Sequence, residues 1–289
     1  PLGQGFAMAV GMAMAERQLA ELFNRPGHDI VDHYTYVMCG DGDLMEGISY
    51  ESASLAGHMG LSKLICLYDD NRISIEGKTE ITFTENVTQR FQAQNWHVIQ
   101  VADGNDTEAI ARAIEAAKSE TEKPSLIILR TYIAYGSPNL QGSADAHGAP
   151  LGEEEVRLTK SFYGCPPEQL FCVPEAVLAH FRRAVDAGEK SENRWQQQFE
   201  AYQSAYPELA RAFWDRINRV MGEDWDAEIP DFKDEEGAVA TRKASGSVLN
   251  ALAKKLPDLV GGSADLAPSN KTLILEEPDY QKDRYDGRN

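Results

Sequence analysis

Positive charge is what this sequence has least of. Its 289 residues carry 28 Lys and Arg against 46 Asp and Glu, a formal charge of −18. Electrostatics of that sign oppose association with phosphate backbones or anionic lipid, so nucleic acid is excluded as an expected partner. A ligand bearing phosphate would need a local device: a metal ion, a helix N-terminus or a few placed cations. Cysteine is scarce as well. Cys39, Cys66, Cys165 and Cys172 lie far apart, which excludes a disulfide framework and suits a reducing, cytoplasmic setting. Cys39 and Cys66 fall inside apolar runs, where a thiol packs as a small hydrophobe. No run approaches the roughly 18 apolar residues of a membrane span, and no signal peptide is visible, so no membrane partner is expected. The opening PLGQGFAMAV has no initiating methionine, and an upstream segment is expected to have been removed.

What is present is a chain 42% hydrophobic, enough for one sizeable core and part of a second. Residues Gly5 to Phe23, GFAMAVGMAMAERQLAELF, are apolar nearly all round at first and charged later, which predicts a helix with a buried beginning. Gly3-Gln4-Gly5 before it either lets the backbone approach a ligand or makes a tight turn into a packed helix. YTYVMC (Tyr34 to Cys39) reads as a buried strand, MEGISYESASLAGHM as a helix and KLICLYD (Lys63 to Asp69) as a second strand. The right-handed crossover rule makes these strands parallel, with their C-terminal ends on one edge of an α/β sheet.

Both strands end in oxygen ligands, Asp41 after the first and Asp70-Asn71 after the second. That edge is where open α/β sheets bind their ligands. A carboxylate and an amide oxygen converging there are hard donors, suited to Mg²⁺ or Ca²⁺ and not to zinc. Magnesium takes few protein ligands and completes its shell with water and phosphate oxygens, so two side chains suffice. Gly40 and Gly42 clear space for a diphosphate beside the helix that follows.

Gly-Asp-Gly, a spacer of under thirty residues and a closing Asn resemble the signature of thiamine diphosphate enzymes. The wording is similar to that of the transketolase family in particular: GDGDLMEGISYE, YDDNRISIEG, GSPN, AHGAPLG and GGSADLAPSN follow in the family's order along nearly the whole chain. The resemblance implies that Asp41, Asn71 and the Ile73 carbonyl bind a divalent cation (Mg²⁺, or Ca²⁺ or Mn²⁺) that grips the diphosphate of thiamine diphosphate. It implies that Gly42 touches the diphosphate, that the backbone at Leu2 meets the aminopyrimidine, that Ile133 packs beside the cofactor and that Glu46 links two active sites of a homodimer.

Further on, WHVIQVADGNDTEAIARAIEAAK predicts a strand, a turn, an N-cap at Asp106 or Thr107 and a helix, and KPSLIILRTYIAYG another buried strand. The loop Gly136 to Gly152, rich in Gly, Pro and Ser, has a length usually kept for function. His147 within it matches the family histidine that contacts cofactor phosphate and substrate, where it could donate hydrogen bonds to developing negative charge as a catalytic group. His28, His33, His58, His97 and His180 have no such context and read as structural or solvent-facing.

The expected plan is a diphosphate-binding domain over 1–160, a helical linker over 161–236 and the beginning of a pyrimidine-binding domain over 237–289. In the linker, Trp195, Phe199, Tyr202, Phe213 and Ile217 make apolar stripes, and Gly222 to Gly237 forms an acidic boundary. Beyond it a helix, a short strand and a glycine turn are expected. There the resemblance places Arg242 and Ser269 on a sugar phosphate and Asp265 on cofactor held mainly by the partner subunit. Arg130 stands where the family often has lysine, and Ala134 where it often has glycine. The family's ring-protonating glutamate and its upstream histidines have no counterpart here. The implied protein is therefore the diphosphate-binding portion of a transketolase, a ketol transferase between sugar phosphates, which does not turn over by itself. Dihydroxyacetone synthase, 1-deoxyxylulose 5-phosphate synthase or a noncatalytic cofactor-binding subunit would share the cation site.

Overall fold

A computed structural model describes residues 1–233 and 237–289. The chain divides into two compact units. The first comprises 1–16 and 33–190, the second 17–32 and 191–289.

In the first unit, α1 (Gln4–Phe23, its residues to Glu16) leads into β1 (Thr35–Gly40), α2 (Asp41–Met45), α3 (Gly47–His58) and β2 (Leu64–Asp70). Then come α4 (Val87–Ala93), β3 (His97–Val101), α5 (Thr107–Ser119), β4 (Ser125–Arg130), α6 (Glu153–Phe162) and the start of α7 (Glu175–Ala205). The four strands form one parallel sheet in the order β1-β2-β4-β3. Branched aliphatic residues favour strands covered on both faces, and Leu64, Ile65 and Cys66 of β2 and Leu126 and Ile127 of β4 are fully buried, whereas β1, expected as a buried strand, lies at the sheet edge and exposes Tyr36 and Met38. Asp106 caps α5 as its sequence predicts, its side chain accepting from the Ala109 amide. The helix predicted over MEGISYESASLAGHM forms as α3, and the residues before it make a further short helix, α2, separated from it by the extended Glu46 (ψ 140°).

Register is what positions the site. Gly40 lies opposite Asp69, and Asp70 opposite Arg130, so Asp41 and Asn71 leave adjacent strands at one level. Behind this edge, Phe6 stacks on Trp96 (centroids 5.8 Å apart) and Phe91 packs edge-on to both. The Trp96 indole donates to the Ala53 carbonyl (2.8 Å), and α3 comes so close that a Cβ on Gly57 would sit 1.7 Å from the Gln94 carbonyl oxygen. Any side chain there would force α3 away from the turn between α4 and β3.

The second unit is mainly helical: the end of α1, the rest of α7, α8 (Pro207–Ile217), α9 (Thr241–Lys255) and the short α10 (Ala267–Asn270). Phe23, Ile30, Val31, Phe199, Tyr202, Ala210 and Phe213 form its core, with Trp195 packed against them. The Tyr202 hydroxyl donates to the Phe23 carbonyl, and the Trp195 indole to that of Ile30. The predicted stripe fails at Ile217, which is half exposed because it ends α8. The short strand expected after α9 does not form. A strand needs a ladder partner, and the Gly261 amide is taken by the Arg288 carbonyl in a non-repeating loop. The expected acidic boundary includes Asp234, Glu235 and Glu236, which lie outside the described residues.

Candidate functional site

At the C-terminal edge of the sheet the first unit opens a cleft of about 1210 Å³, lined by Asp41, Asn71, Ile73 and, further along, Lys78, Thr88 and Arg130. Asp41 is 4% exposed. Its Oδ1 accepts from the Tyr68 hydroxyl (2.6 Å) and its Oδ2 from the Arg72 amide (3.1 Å). Arg72 adopts a left-handed conformation (φ 61°) that turns the chain back across Asp41 and brings Asn71 and Ile73 to the same place. The Asn71 amide is oriented from both ends. Its Nδ2 donates to Asp69 Oδ2 (3.1 Å) and its Oδ1 accepts from the Ile73 amide (2.9 Å). Asp69 is held in turn by the Thr131 hydroxyl.

The donor set fits a hard divalent cation. Each carboxylate oxygen of Asp41 accepts one hydrogen bond and keeps a lone pair, as does Asn71 Oδ1. Ser74 and Gly77 bond to each other and the Thr79 amide bonds to Arg72, so the Ile73 carbonyl has no backbone donor among the described residues. Burial pushes the Asp41 carboxyl above its usual range; Asp70 and Asp69 push it further, while the bonds from Tyr68 and Arg72 pull it back. A carboxylate both desolvated and crowded by like charge is relieved by a cation. Burial, and then Asp41 itself, push the Tyr68 phenol up, so it remains a donor.

Leu2 and Gly42 meet at the next turn, where a Cβ on Gly42 would lie 3.3 Å from Leu2 Cδ1. Glu46 is exposed at the break between α2 and α3. Ile133 is half-buried and its carbonyl accepts from Gly142, while Ala134 is left-handed (φ 51°). His147 follows the single turn Ala144–Ala146 and its imidazole is exposed. The loop carrying His147 is anchored by Glu155, which is buried and accepts from the Ser137 hydroxyl, the Asn139 amide (2.9 Å) and Asn139 Nδ2 (2.8 Å). These bonds hold the Glu155 carboxyl below its usual range. Arg130 spends its guanidinium on the carbonyls of Asp70 and Thr131 (2.6 and 2.8 Å) and lies over the Tyr132 ring. In the second unit, Arg242 is exposed in the first turn of α9, Asp265 is exposed and left-handed (φ 59°), and Ser269 is exposed in α10.

Tyr68, Asp69 and Glu155 escaped the sequence reading. Tyr68 had a usable signal, since Asp69 and Asp70 directly follow an apolar strand and an aromatic just before them can face the same edge. Of the other histidines, His97 Nδ1 lies 3.2 Å from Ser125 Oγ, His28 packs against Tyr202 and Tyr206, and His33, His58 and His180 are exposed. Cys39 and Cys66 are buried free thiols with Sγ atoms 3.4 Å apart. Among the described residues no helix is long and apolar enough to cross a membrane.

Residues 1–222 match the family model described as transketolase, thiamine diphosphate binding domain. The chain is 53% identical over its whole length to a transketolase of Halalkalibacterium halodurans, and 50% identical over its whole length to transketolase-1, chloroplastic, of Arabidopsis thaliana. It spans 43% and 39% of those two proteins. All of it superposes on the transketolase of Pichia stipitis solved with sedoheptulose 7-phosphate (TM-score 0.95, 43% identity) and on that of Leishmania mexicana (TM-score 0.95, 44% identity), covering 43% of each. With 222 of its 289 residues matched by that family model and whole-length identities of 50–53% to transketolases, the chain belongs to the transketolase family and carries its thiamine diphosphate binding domain.

Proposed function

We propose that Asp41, Asn71 and the Ile73 carbonyl hold a divalent cation, Mg²⁺ or in its place Ca²⁺ or Mn²⁺, that fixes the diphosphate of thiamine diphosphate against Gly42. Leu2 and Ile133 line the rest of the cofactor, and His147 donates hydrogen bonds to its phosphate and to substrate oxygens. Glu46 and Asp265 serve a homodimer in which each site draws on both subunits. The whole protein transfers a two-carbon ketol unit from a ketose phosphate of the xylulose 5-phosphate type to an aldose phosphate, in the cytoplasm. Thiamine diphosphate, when bound, supplies the electron sink for carbon–carbon cleavage. Arg242 and Ser269 hold the sugar phosphate, a charge-assisted pair suited to so acidic a chain. Domain limits follow the same reading: diphosphate-binding over 1–160, helical linker over 161–236, and the beginning of a pyrimidine-binding domain over 237–289.

The observation that carries the reading is the buried Asp41 carboxylate, oriented by Tyr68 and Arg72, with open lone pairs facing the cleft beside Asn71. Calorimetric titration of the 289-residue chain with thiamine diphosphate, with Mg²⁺ and again with excess EDTA, tests it. Heat that appears only with Mg²⁺ supports an autonomous half-site. Silence in both conditions overturns cofactor binding by this chain on its own.

A further inference from the structure

Asp43 is the second acid of GDGD, and the site described above does not use it. Its carboxylate is half-buried and spans two segments that the sequence keeps 40 positions apart. Oδ2 accepts from the Gly40 amide (3.0 Å), at the turn that carries Asp41, and Oδ1 accepts from the Gly3 amide (2.9 Å), next to Leu2. The first bond alone would make Asp43 a local capping residue, an acid at the third position of α2 reaching back to the residue before the helix. The second has no such local explanation. Gly3 is left-handed (φ 74°) and so tight against α3 that a Cβ would lie 2.7 Å from Ser49 Oγ and 2.9 Å from Ile48 Cγ2. Ser49 Oγ in turn donates to the Asp43 carbonyl (2.6 Å). The Leu2-Gly3 turn, the Asp41 turn and the start of α3 are thus tied at one residue.

We propose that Asp43 is a positioning residue that sets the Leu2 segment in register with the cation-binding turn, so that one ligand can be gripped at its diphosphate and at its aromatic end together. The inference rests on the cofactor reading and deepens it. Inorganic diphosphate with Mg²⁺ needs the Asp41 turn alone, whereas thiamine diphosphate needs both segments at a fixed spacing. The ratio of the two affinities therefore reports the tie. Asp43→Asn keeps one acceptor oxygen and so one of the two bonds; Asp43→Ala keeps neither.

The experiment is calorimetry on the full chain with Mg²⁺, using inorganic diphosphate and thiamine diphosphate separately. Asp43→Ala is expected to weaken thiamine diphosphate binding about tenfold or more while inorganic diphosphate changes by less than about twofold, with Asp43→Asn between. Gly3→Ala should reproduce the loss, and the double variant Gly3→Ala with Asp43→Ala should add little to it, because both remove one link. Amide exchange gives a ligand-free check on variants that fold: Gly3 should lose protection in Asp43→Ala while the core strands keep theirs. Equal loss of both ligands, no loss of either, or full additivity in the double variant overturns the role. If the unsubstituted chain binds neither ligand, the cofactor reading falls first and the role with it. If it binds both and Asp43→Ala does too, only the role falls.

Discussion

Two buried carboxylates in the first unit have opposite electrostatics. Asp41, at the end of β1, is pushed up by burial and by its acidic neighbours. Glu155, in the first turn of α6, is held down by the Ser137 hydroxyl and then by Asn139. Both are polar groups in a protein interior, which must be paired to be tolerated. Glu155 is paired by the protein itself, so it is part of the scaffold. Asp41 is paired only in part, and what it still needs is positive charge. A buried acid thus identifies a binding site when its surroundings leave it under-satisfied, and an anchor when they do not.

The sharpest way to break this comparison is Asp41→Asn. Loss of the carboxylate should abolish cation-dependent binding of thiamine diphosphate, weakening it by at least about a hundredfold in calorimetry. In the metal-free chain the same change has two opposed effects: it removes a desolvated charge, and it leaves either the Tyr68 hydroxyl or the Arg72 amide without its acceptor, because Asn keeps one acceptor oxygen. Because the folded-state pKa of Asp41 is raised, its contribution is favourable at low pH and is lost as pH rises from about 3.8 through the folded value. At neutral pH the ionised group is a burden, so the melting temperature of Asp41→Asn relative to the unsubstituted chain should rise as pH goes from about 4 to 7. A relative melting temperature that falls over the same pH range would mean that Asp41 is a structural acid like Glu155.

Asp41 and Asn71 were legible because a parallel crossover puts two strand ends on one edge wherever the helix between them lies. Asp106 was legible because capping is local. What stayed hidden depends on partners that carry no sequence signal. Asp43 bonds to a backbone amide 40 residues away, and Glu155 to an amide 16 residues away. The break at Glu46 had no Pro or Gly at the extended residue itself to announce it; Gly47 only follows it. The expected strand after α9 failed because a local sequence cannot report whether a neighbouring strand exists to receive it. His147 was read from a motif, and the structure shows its imidazole exposed in the loop that Glu155 anchors.

A smaller effect is expected at Glu155. Glu155→Ala removes the acceptor for the Asn139 amide and the Ser137 hydroxyl, and Asn139 exchange should accelerate about tenfold or more, with the core strands unaffected. Its pH dependence runs opposite to that of Asp41. A depressed carboxylate contributes stability that is complete above about 4.5 and is lost only as pH falls through the lower folded value. Protection of the Asn139 amide, measured against its intrinsic exchange rate at each pH, should therefore hold from pH 7 to about 4.5 and fall below it. Protection lost already near pH 6 would show that the loop is held by something other than this carboxylate.

The smallest change is expected at Tyr68, which lines the cleft and whose hydroxyl orients Asp41 Oδ1 at 2.6 Å. Tyr68→Phe removes a charge-assisted bond that pulls the Asp41 pKa down, so burial and Asp70 act with less opposition. Protons and the cation compete for the same carboxylate. The pH at which Mg²⁺-dependent binding reaches half its plateau should rise by about one unit, while the plateau affinity falls by less than about tenfold. A changed plateau with an unmoved midpoint would assign Tyr68 to packing alone and leave the Arg72 amide as the hydrogen bond that tunes Asp41. A moved midpoint with a nearly intact plateau would show that the phenol acts through the charge on the carboxylate, the property that separates Asp41 from Glu155.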